Sequence, residues 1–275
     1  MSKGIEQAEL AMLAHAQADC PVIHHFGPGI YIRELRMKAG ILAIGHRQKQ
    51  PHMNVLIQGR VLMLHNDGST VEVAAPMTFV GQPGRKMGWV LEDVVWQNVY
   101  ATDITDVPTL EAMFLDKSMG WEEAEVLRAK AAHANAQPLR DDFHTMLEQY
   151  GISAQLVKQQ SEDPSDQVPM PFGAWQFKAG QSPIHGIGIF LTADAAAGCV
   201  VGPARINGMR TPLGRYTNHS PDPNARMELL PSGDIQLVLL RGVKGCRGGE
   251  DGEEVTIDYR QALSLSGVQP KGAPV

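Results

Sequence analysis

Three stretches of the chain concentrate residue types that can bind or react. Residues 215–224 read Arg-Tyr-Thr-Asn-His-Ser-Pro-Asp-Pro-Asn, which sets a guanidinium, an amide and an imidazole beside two turn-forming prolines. Residues 252–259 read Gly-Glu-Glu-Val-Thr-Ile-Asp-Tyr, a short strand pattern that closes on a phenol. Residues 182–190 read Ser-Pro-Ile-His-Gly-Ile-Gly-Ile-Phe, in which Gly186 and Gly188 would let backbone approach a ligand closely. Each has a plainer reading. Asn-His-Ser can be a turn that hydrogen-bonds itself, Gly-x-Gly is a common turn, and a tyrosine at a strand end is ordinarily a packing residue. A fourth group, His46 and His52, offers imidazole nitrogens, but a first-row divalent ion generally wants three or four nitrogen or oxygen donors.

Taken in order, the three stretches resemble the signature segments of SET-domain lysine methyltransferases. In that family an Asn-His-Ser turn is followed by Pro-Asn, here Pro223 and Asn224, and a Gly-Glu-Glu-x-Thr-x-Asp-Tyr strand end carries the catalytic tyrosine. The resemblance covers residues 172–262 and implies S-adenosylmethionine as methyl donor and a protein lysine as acceptor. It assigns Tyr259 and Tyr216 to catalysis, Tyr259 as the catalytic tyrosine and Tyr216 as an aromatic residue lining the donor or lysine pocket. It assigns Gly186, Ile187, Gly188, Arg215, Asn218 and His219 to the donor. It also implies that the C-terminal segment passes near the Asn-His turn, so that Asn218 and Tyr259 meet. Methyl transfer to lysine needs a neutral amine aligned behind a sulfonium methyl group. Alignment avoids the entropy cost of a bimolecular encounter, and desolvation beside the sulfonium lowers the lysine pKa.

Departures from the family pattern matter as well. Pro221 stands where many SET enzymes place a zinc-binding cysteine, and no cysteine-rich tail follows Tyr259, so a post-SET zinc cluster is not expected. Residues 198–214 are short for the insert that usually shapes the peptide groove. Ile257 occupies a position that often holds Phe or Tyr, and the glycine-rich segment 241–252 is longer than usual.

Residues 45–59 resemble the first motif of the cupin family, a glycine, His-x-His, a glutamate and a second glycine. His46 falls at the first histidine, Gln48 at the second and His52 at the glutamate. Residues 82–87, Gln-Pro-Gly-Arg-Lys-Met, loosely match the second motif with Met87 at its histidine. A thioether is a poor substitute for imidazole at such a site. The resemblance, over residues 27–101, therefore implies a cupin barrel without its metal, and barrels of this kind commonly form homo-oligomers.

The elements that would position these residues follow from periodicity. Apolar residues at helical spacing in 5–16 predict an amphipathic helix ended near Cys20-Pro21. From residue 30 the period changes to two, predicting strands at 30–37, 41–44, 53–57, 61–64, 71–73, 78–80, 89–91 and 94–101. Turns are expected at Asn66-Asp-Gly68 and Gln82-Pro-Gly84. Helix formers dominate 121–136, and Phe143, Met146, Leu147 and Tyr150 make one stripe that should end at a Gly151 cap, with Ser153 capping a further turn. The expected fold is mainly β with a helical connector. It comprises an N-terminal helix (1–20), a cupin-like double-stranded β-helix (21–107), the connector (108–160), a polar, proline-rich linker (161–171) and a small SET-like β-domain with its tail (172–275).

Composition bounds the function. The 43% apolar content of 275 residues suffices for ordinary cores, while 28 glycines and 18 prolines favour short strands and turns. A net charge of −6 offers no general field for a phosphate backbone, so nucleic acid is not an expected partner. Cys20, Cys199 and Cys246 lack the spacing of a disulfide framework or zinc site, and no apolar run has membrane-spanning length, so the expected location is cytoplasmic. Three readings follow. One is a SET-like lysine methyltransferase with a cupin-like half for assembly or targeting. Another is a non-catalytic structural or binding protein built from both folds. A third is a metal-dependent cupin enzyme using His46 and His52. The domain order also resembles that of phage and prophage proteins.

Overall fold

The computed structural model describes residues 3–65, 68–248, 250 and 252–272. Its first helix, α1 (Lys3–Leu13), leads into the strands β1 (Val22–Gly27), β2 (Ile30–Met37), β3 (Leu42–Ile44), β4 (Arg47–Gln48) and β5 (His52–Gln58). There follow β6 (Arg60–Leu64), β7 (Thr70–Ala74), β8 (Met77–Gly81), β9 (Met87–Val90) and β10 (Val94–Ala101). All eight strands expected between 30 and 101 form, within two residues of the expected ends. Part of the Asn66-Asp-Gly68 turn lies outside the described residues. Two strands are added: β4, which is only two residues long, and β1, which has two adjacent histidines at its centre and no clean alternation to mark it.

Two antiparallel sheets result, of order β12-β1-β2-β10-β5-β8, where β12 (Gly173–Trp175) comes from the C-terminal part, and β3-β9-β6-β7. Numbering β2, β3 and β5 to β10 as one to eight, the sheets read 1-8-3-6 and 2-7-4-5. That is the double Greek key of a jelly roll, so the N-terminal part is a cupin-like double-stranded β-helix. Antiparallel register stacks its inward side chains in rungs. Leu35 faces Trp96, which faces Leu56, in an apolar rung that joins the core with Val61, Val90 and Val94. The next rung is polar: His24, Arg33, Asn98 and Asn54 lie side by side across four strands. Beyond it Phe26, Tyr31 and Tyr100 form an aromatic rung, with His52 stacked on Tyr100 at 5.5 Å.

The connector comprises α2 (Val107–Phe114), the short β11 (Leu115–Asp116), α3 (Met119–His133), α4 (Gln137–Tyr150) and α5 (Ala154–Glu162). Gly151 takes the left-handed conformation at the end of α4 (φ 67°), and Ser153 Oγ accepts from Leu156 N at 3.1 Å at the start of α5. The expected stripe buries Met146 and Leu147. The proline-rich stretch after it is pinned: Met170 is buried, and Thr105 Oγ1 donates to its carbonyl at 2.7 Å.

The C-terminal part contains β12 (Gly173–Trp175), β13 (Phe177–Gln181), β14 (Ile187–Leu191), β15 (Val200–Ile206), β16 (Met209–Arg210), α6 (Pro212–Tyr216) and β17 (Asn218–His219). It ends with β18 (Ala225–Leu229), β19 (Ile235–Leu239), β20 (Glu254–Ile257) and α7 (Tyr259–Leu265). These form sheets of order β13-β14-β20-β17 and β16-β15-β19-β18. The boundary expected at residue 171 is crossed by main-chain bonding, because β12 pairs with β1, His24 opposite Trp175. Thr192 Oγ1 donates to the Val22 carbonyl, and one apolar core runs from Phe26, Tyr31 and Tyr100 through Leu110 to Phe177, Ile189 and Ile257.

Candidate functional site

The late-arriving strand β20 lies between β14 and β17 and runs parallel to β17, with Asn218 opposite Thr256 and His219 opposite Ile257. Apolar Val255 and Ile257 bury one face of β20 in the shared core, which fixes its register. Asn224 then clamps it: its Nδ2 donates to the Glu254 carbonyl at 2.8 Å, and its Oδ1 accepts from Thr256 N at 2.8 Å. The Pro-Asn after the Asn-His-Ser turn is thus a backbone staple. Asn218, His219 and Tyr259 meet as a consequence. Tyr259 N donates to His219 Nδ1 at 3.1 Å, the two rings lie 5.2 Å apart, and the Tyr259 hydroxyl donates to the Thr217 carbonyl at 3.0 Å. Tyr259 opens α7 instead of ending a strand, because Asp258 caps the helix by accepting from Arg260 N at 2.9 Å. Burial pushes the Tyr259 phenol up to about 12, with the Glu254 carboxyl adding to the shift, so the hydroxyl stays protonated.

The glycine loop sits against the same turn. Asn218 Nδ2 donates to the His185 and Ile187 carbonyls, both at 3.1 Å, and to Glu254 Oε1 at 2.7 Å. Ser182 Oγ donates to Glu254 Oε2 at 2.8 Å. Burial raises the Glu254 carboxyl to about 7, outweighing the lowering by the Asn218 and Ser182 hydrogen bonds. The two glycines differ in their reason. Gly186 has φ +54° and open space where a Cβ would stand, whereas a Cβ at Gly188 would come within 2.2 Å of Glu254 Oε1. Gly188 therefore makes room for a carboxylate of the same chain. Arg215 lies over the Tyr216 ring at 4.7 Å, and its buried Nε has no partner among the described residues. An orphaned guanidinium N–H suits an anionic or polar ligand group.

Sequence reasoning left out the groups that α4 contributes. His219 Nε2 donates to Asp142 Oδ2 at 2.8 Å, and Arg260 grips the same carboxylate from Nη1 at 2.7 Å and Nη2 at 3.1 Å. Since Nδ1 accepts from Tyr259 N, Asp142 selects the tautomer with the proton on Nε2. Phe143 closes one side, 5.9 Å from the Tyr259 ring and 6.2 Å from that of His219. The Phe143 stripe was visible as a packing face, but which element it packs on was not.

In the jelly roll the cupin-motif positions hold other groups. His46 meets the Trp121 indole edge-on at 4.7 Å, Gln48 Oε1 accepts from the Tyr100 hydroxyl at 2.7 Å, and His52 Nε2 has the Lys86 ammonium at 3.3 Å. Among the described residues, no three His, Cys, Asp or Glu side chains converge. An ammonium against one imidazole and a thioether at Met87 do not fit a divalent ion, whose charge Lys86 would repel. A cavity of about 540 Å³ does open between the sheets, bounded by Arg33, His46, Lys86, Glu111 and Trp121 and roofed by α1. Asn218, His219 and Tyr259 do not line it.

The sequence matches no protein-family model and no curated protein. Solved structures similar to it include an RmlC-like cupin from Methanocaldococcus jannaschii, 13% identical over 32% of this chain and 86% of that one, with a TM-score of 0.26. A cupin-2 domain protein from Shewanella frigidimarina is 8% identical over 37% and 95%, TM-score 0.26. KdgF from a Halomonas species is 12% identical over 32% and 88%, TM-score 0.25. The jelly-roll assignment rests on the strand order itself. Among the described residues no helix is long and apolar enough to cross a membrane.

Proposed function

We propose that the C-terminal half is a SET-like, S-adenosylmethionine-dependent protein-lysine N-methyltransferase, with the cupin-like half serving assembly or target placement in a cytoplasmic protein. The observation that supports this reading is the parallel pairing of β17 with β20, which sets Asn218 and His219 beside Tyr259. The donor, when bound, supplies an electrophilic methyl group. Arg215, with its unpartnered Nε, and the open backbone at Gly186 and Ile187 are the groups that would hold it, beside Asn218 and His219. The Tyr259 hydroxyl is held in place at the Thr217 carbonyl and stays protonated, so its oxygen can orient an incoming amine. Tyr216, braced by Arg215, offers an aromatic wall. Phe143 and the buried sheet keep water from the tyrosine.

A second reading, a binding protein without turnover, is favoured by one observation: Phe143 of α4 already occupies a face of Tyr259. Calorimetry with S-adenosylmethionine, using Asn218→Ala as control, tests donor binding. Transfer of a labelled methyl group to lysines in a lysate then tests turnover. Donor binding that Asn218→Ala abolishes, without any transfer, selects the binding protein. No donor binding at millimolar concentration overturns the methyltransferase reading and leaves a non-catalytic structural or binding protein.

A further inference from the structure

The polar rung inside the jelly roll is unexplained by the site around Tyr259. Arg33 stands in this rung beside Asn98, between an apolar rung and an aromatic one. Its Nε is buried with no partner, and among the described residues no carboxylate forms an ion pair with it. At the other end of the rung, two strand spacings or about 10 Å away, Asn54 Oδ1 accepts from Lys86 Nζ at 2.9 Å, Asn98 Nδ2 at 2.9 Å and Trp96 Nε1 at 3.0 Å. Lys86 thus meets only neutral acceptors, Asn54 and His52, and the face of Trp96 at 5.8 Å. Burial lowers its pKa to about 8, so it is still largely charged at neutral pH. Two more polar atoms of the same cavity, His46 Nδ1 and the indole donor Trp121 Nε1, are buried without partners among the described residues.

The cavity's carboxylates are already engaged. Glu9 is paired with Arg85 and accepts from Ser118 Oγ at 2.6 Å. Glu111 sits 3.3 Å from Lys117; although burial alone would raise it, Lys117 and Arg33 hold it near 2, so it is an anion. Buried cations are ordinarily paired, and buried N–H groups ordinarily bonded, because leaving them bare costs free energy. Arg33 Nε and Trp121 Nε1 break that rule in one cavity, and Lys86 has no carboxylate partner among the described residues. Around them the walls are apolar, with Leu35, Val61, Val90 and Trp96.

We infer that this cavity is a metal-free binding site for a small organic carboxylate with an apolar body, its acid group held by Arg33 and Trp121, with His46 against Trp121 and Lys86 adding positive charge from the far end of the rung. The planar guanidinium and the indole N–H suit a carboxylate, and the apolar walls suit a hydrocarbon or aromatic body better than a bare phosphate. The α1 helix, fastened by Glu9 to Arg85 and Ser118, roofs the bound molecule.

The test uses the full chain and three probes in calorimetry: 2-naphthoate, its neutral counterpart 2-naphthamide, and inorganic phosphate. Saturable one-site binding of naphthoate is expected, with naphthamide at least tenfold weaker and phosphate without effect on naphthoate affinity. Arg33→Met should weaken naphthoate at least tenfold while circular dichroism stays unchanged, and Trp121→Phe and Lys86→Met should each weaken it severalfold. Equal affinity for acid and amide, or full affinity in Arg33→Met, overturns the inference. So does phosphate that competes as well as naphthoate, or the absence of saturable naphthoate binding.

Discussion

The Tyr259 hydroxyl donates to the carbonyl of Thr217, 42 residues earlier in the chain, at 3.0 Å. This single bond ties the start of α7 to the turn that carries Asn218 and His219. Tyr259→Phe keeps the ring against Phe143 and His219 but strands a carbonyl. It should cost about 1–2 kcal/mol in urea unfolding, as expected for one unmatched buried acceptor. In the proposed enzyme the same variant should lose methyl transfer while keeping donor binding. Unchanged turnover would remove Tyr259 from the catalytic role.

Asp142 joins the connector to the site by accepting from His219 and from both terminal nitrogens of Arg260. The hydrogen bond from Arg260, together with that from His219, holds its carboxyl below the ordinary carboxylate value, against a smaller opposing effect of burial. A lowered folded pKa means that the contribution is present above the unfolded value and is lost as pH falls through the folded one. Asp142→Ala should therefore destabilise the protein by about 1–3 kcal/mol at pH 7. The gap should narrow in acid, below pH about 4, when unfolding of both proteins is followed against pH. Asp142→Asn keeps an acceptor for His219 and should recover part of the loss.

Much of this architecture was legible before any coordinates. Alternation at period two marked every jelly-roll strand after residue 30, because those strands bury one face only. Gly151 and Ser153 marked helix ends, because left-handed backbone and orphan N–H groups each demand particular residues. What escaped was set by register between distant strands. Arg33 reads as an ordinary charged residue in a strand until Asn98 and Asn54 fall beside it. Phe143 reads as part of an apolar stripe, and Asp142 carries no signal, until that helix docks on His219 and Tyr259. Glu254 was visible inside its motif, but only the proximity of Gly188 and Ser182 shows that its carboxyl is buried.

Glu254 gives a pH signature of its own. Its folded pKa is raised to about 7, so between the unfolded value and pH 7 the native state holds a proton that the unfolded chain has released. Stability must then fall as pH rises through that window, by up to about 3 kcal/mol for a shift of this size. Glu254→Gln mimics the protonated form and should be free of this loss. Its stability relative to the parent should grow from pH 5 to pH 8 in denaturant titrations. A parallel pH profile for the two proteins would show that the carboxyl is ionised at little cost.

Gly186 and Gly188 separate a ligand requirement from a folding requirement. At Gly188 an added methyl group would lie 2.2 Å from Glu254 Oε1, so Gly188→Ala must expel a carboxyl that Ser182 and Asn218 both hold. Overpacking of that kind should cost about 1–3 kcal/mol in global stability. At Gly186 the neighbouring space is open, and only the positive φ resists a side chain. Gly186→Ala should then cost about 1 kcal/mol, with the fold intact by circular dichroism. If backbone at Gly186 contacts the methyl donor, calorimetry should show a loss of S-adenosylmethionine affinity in Gly186→Ala well beyond its loss of stability. Intact donor affinity in this variant would place the donor away from the loop and leave Arg215 and Asn218 to hold it without glycine's help.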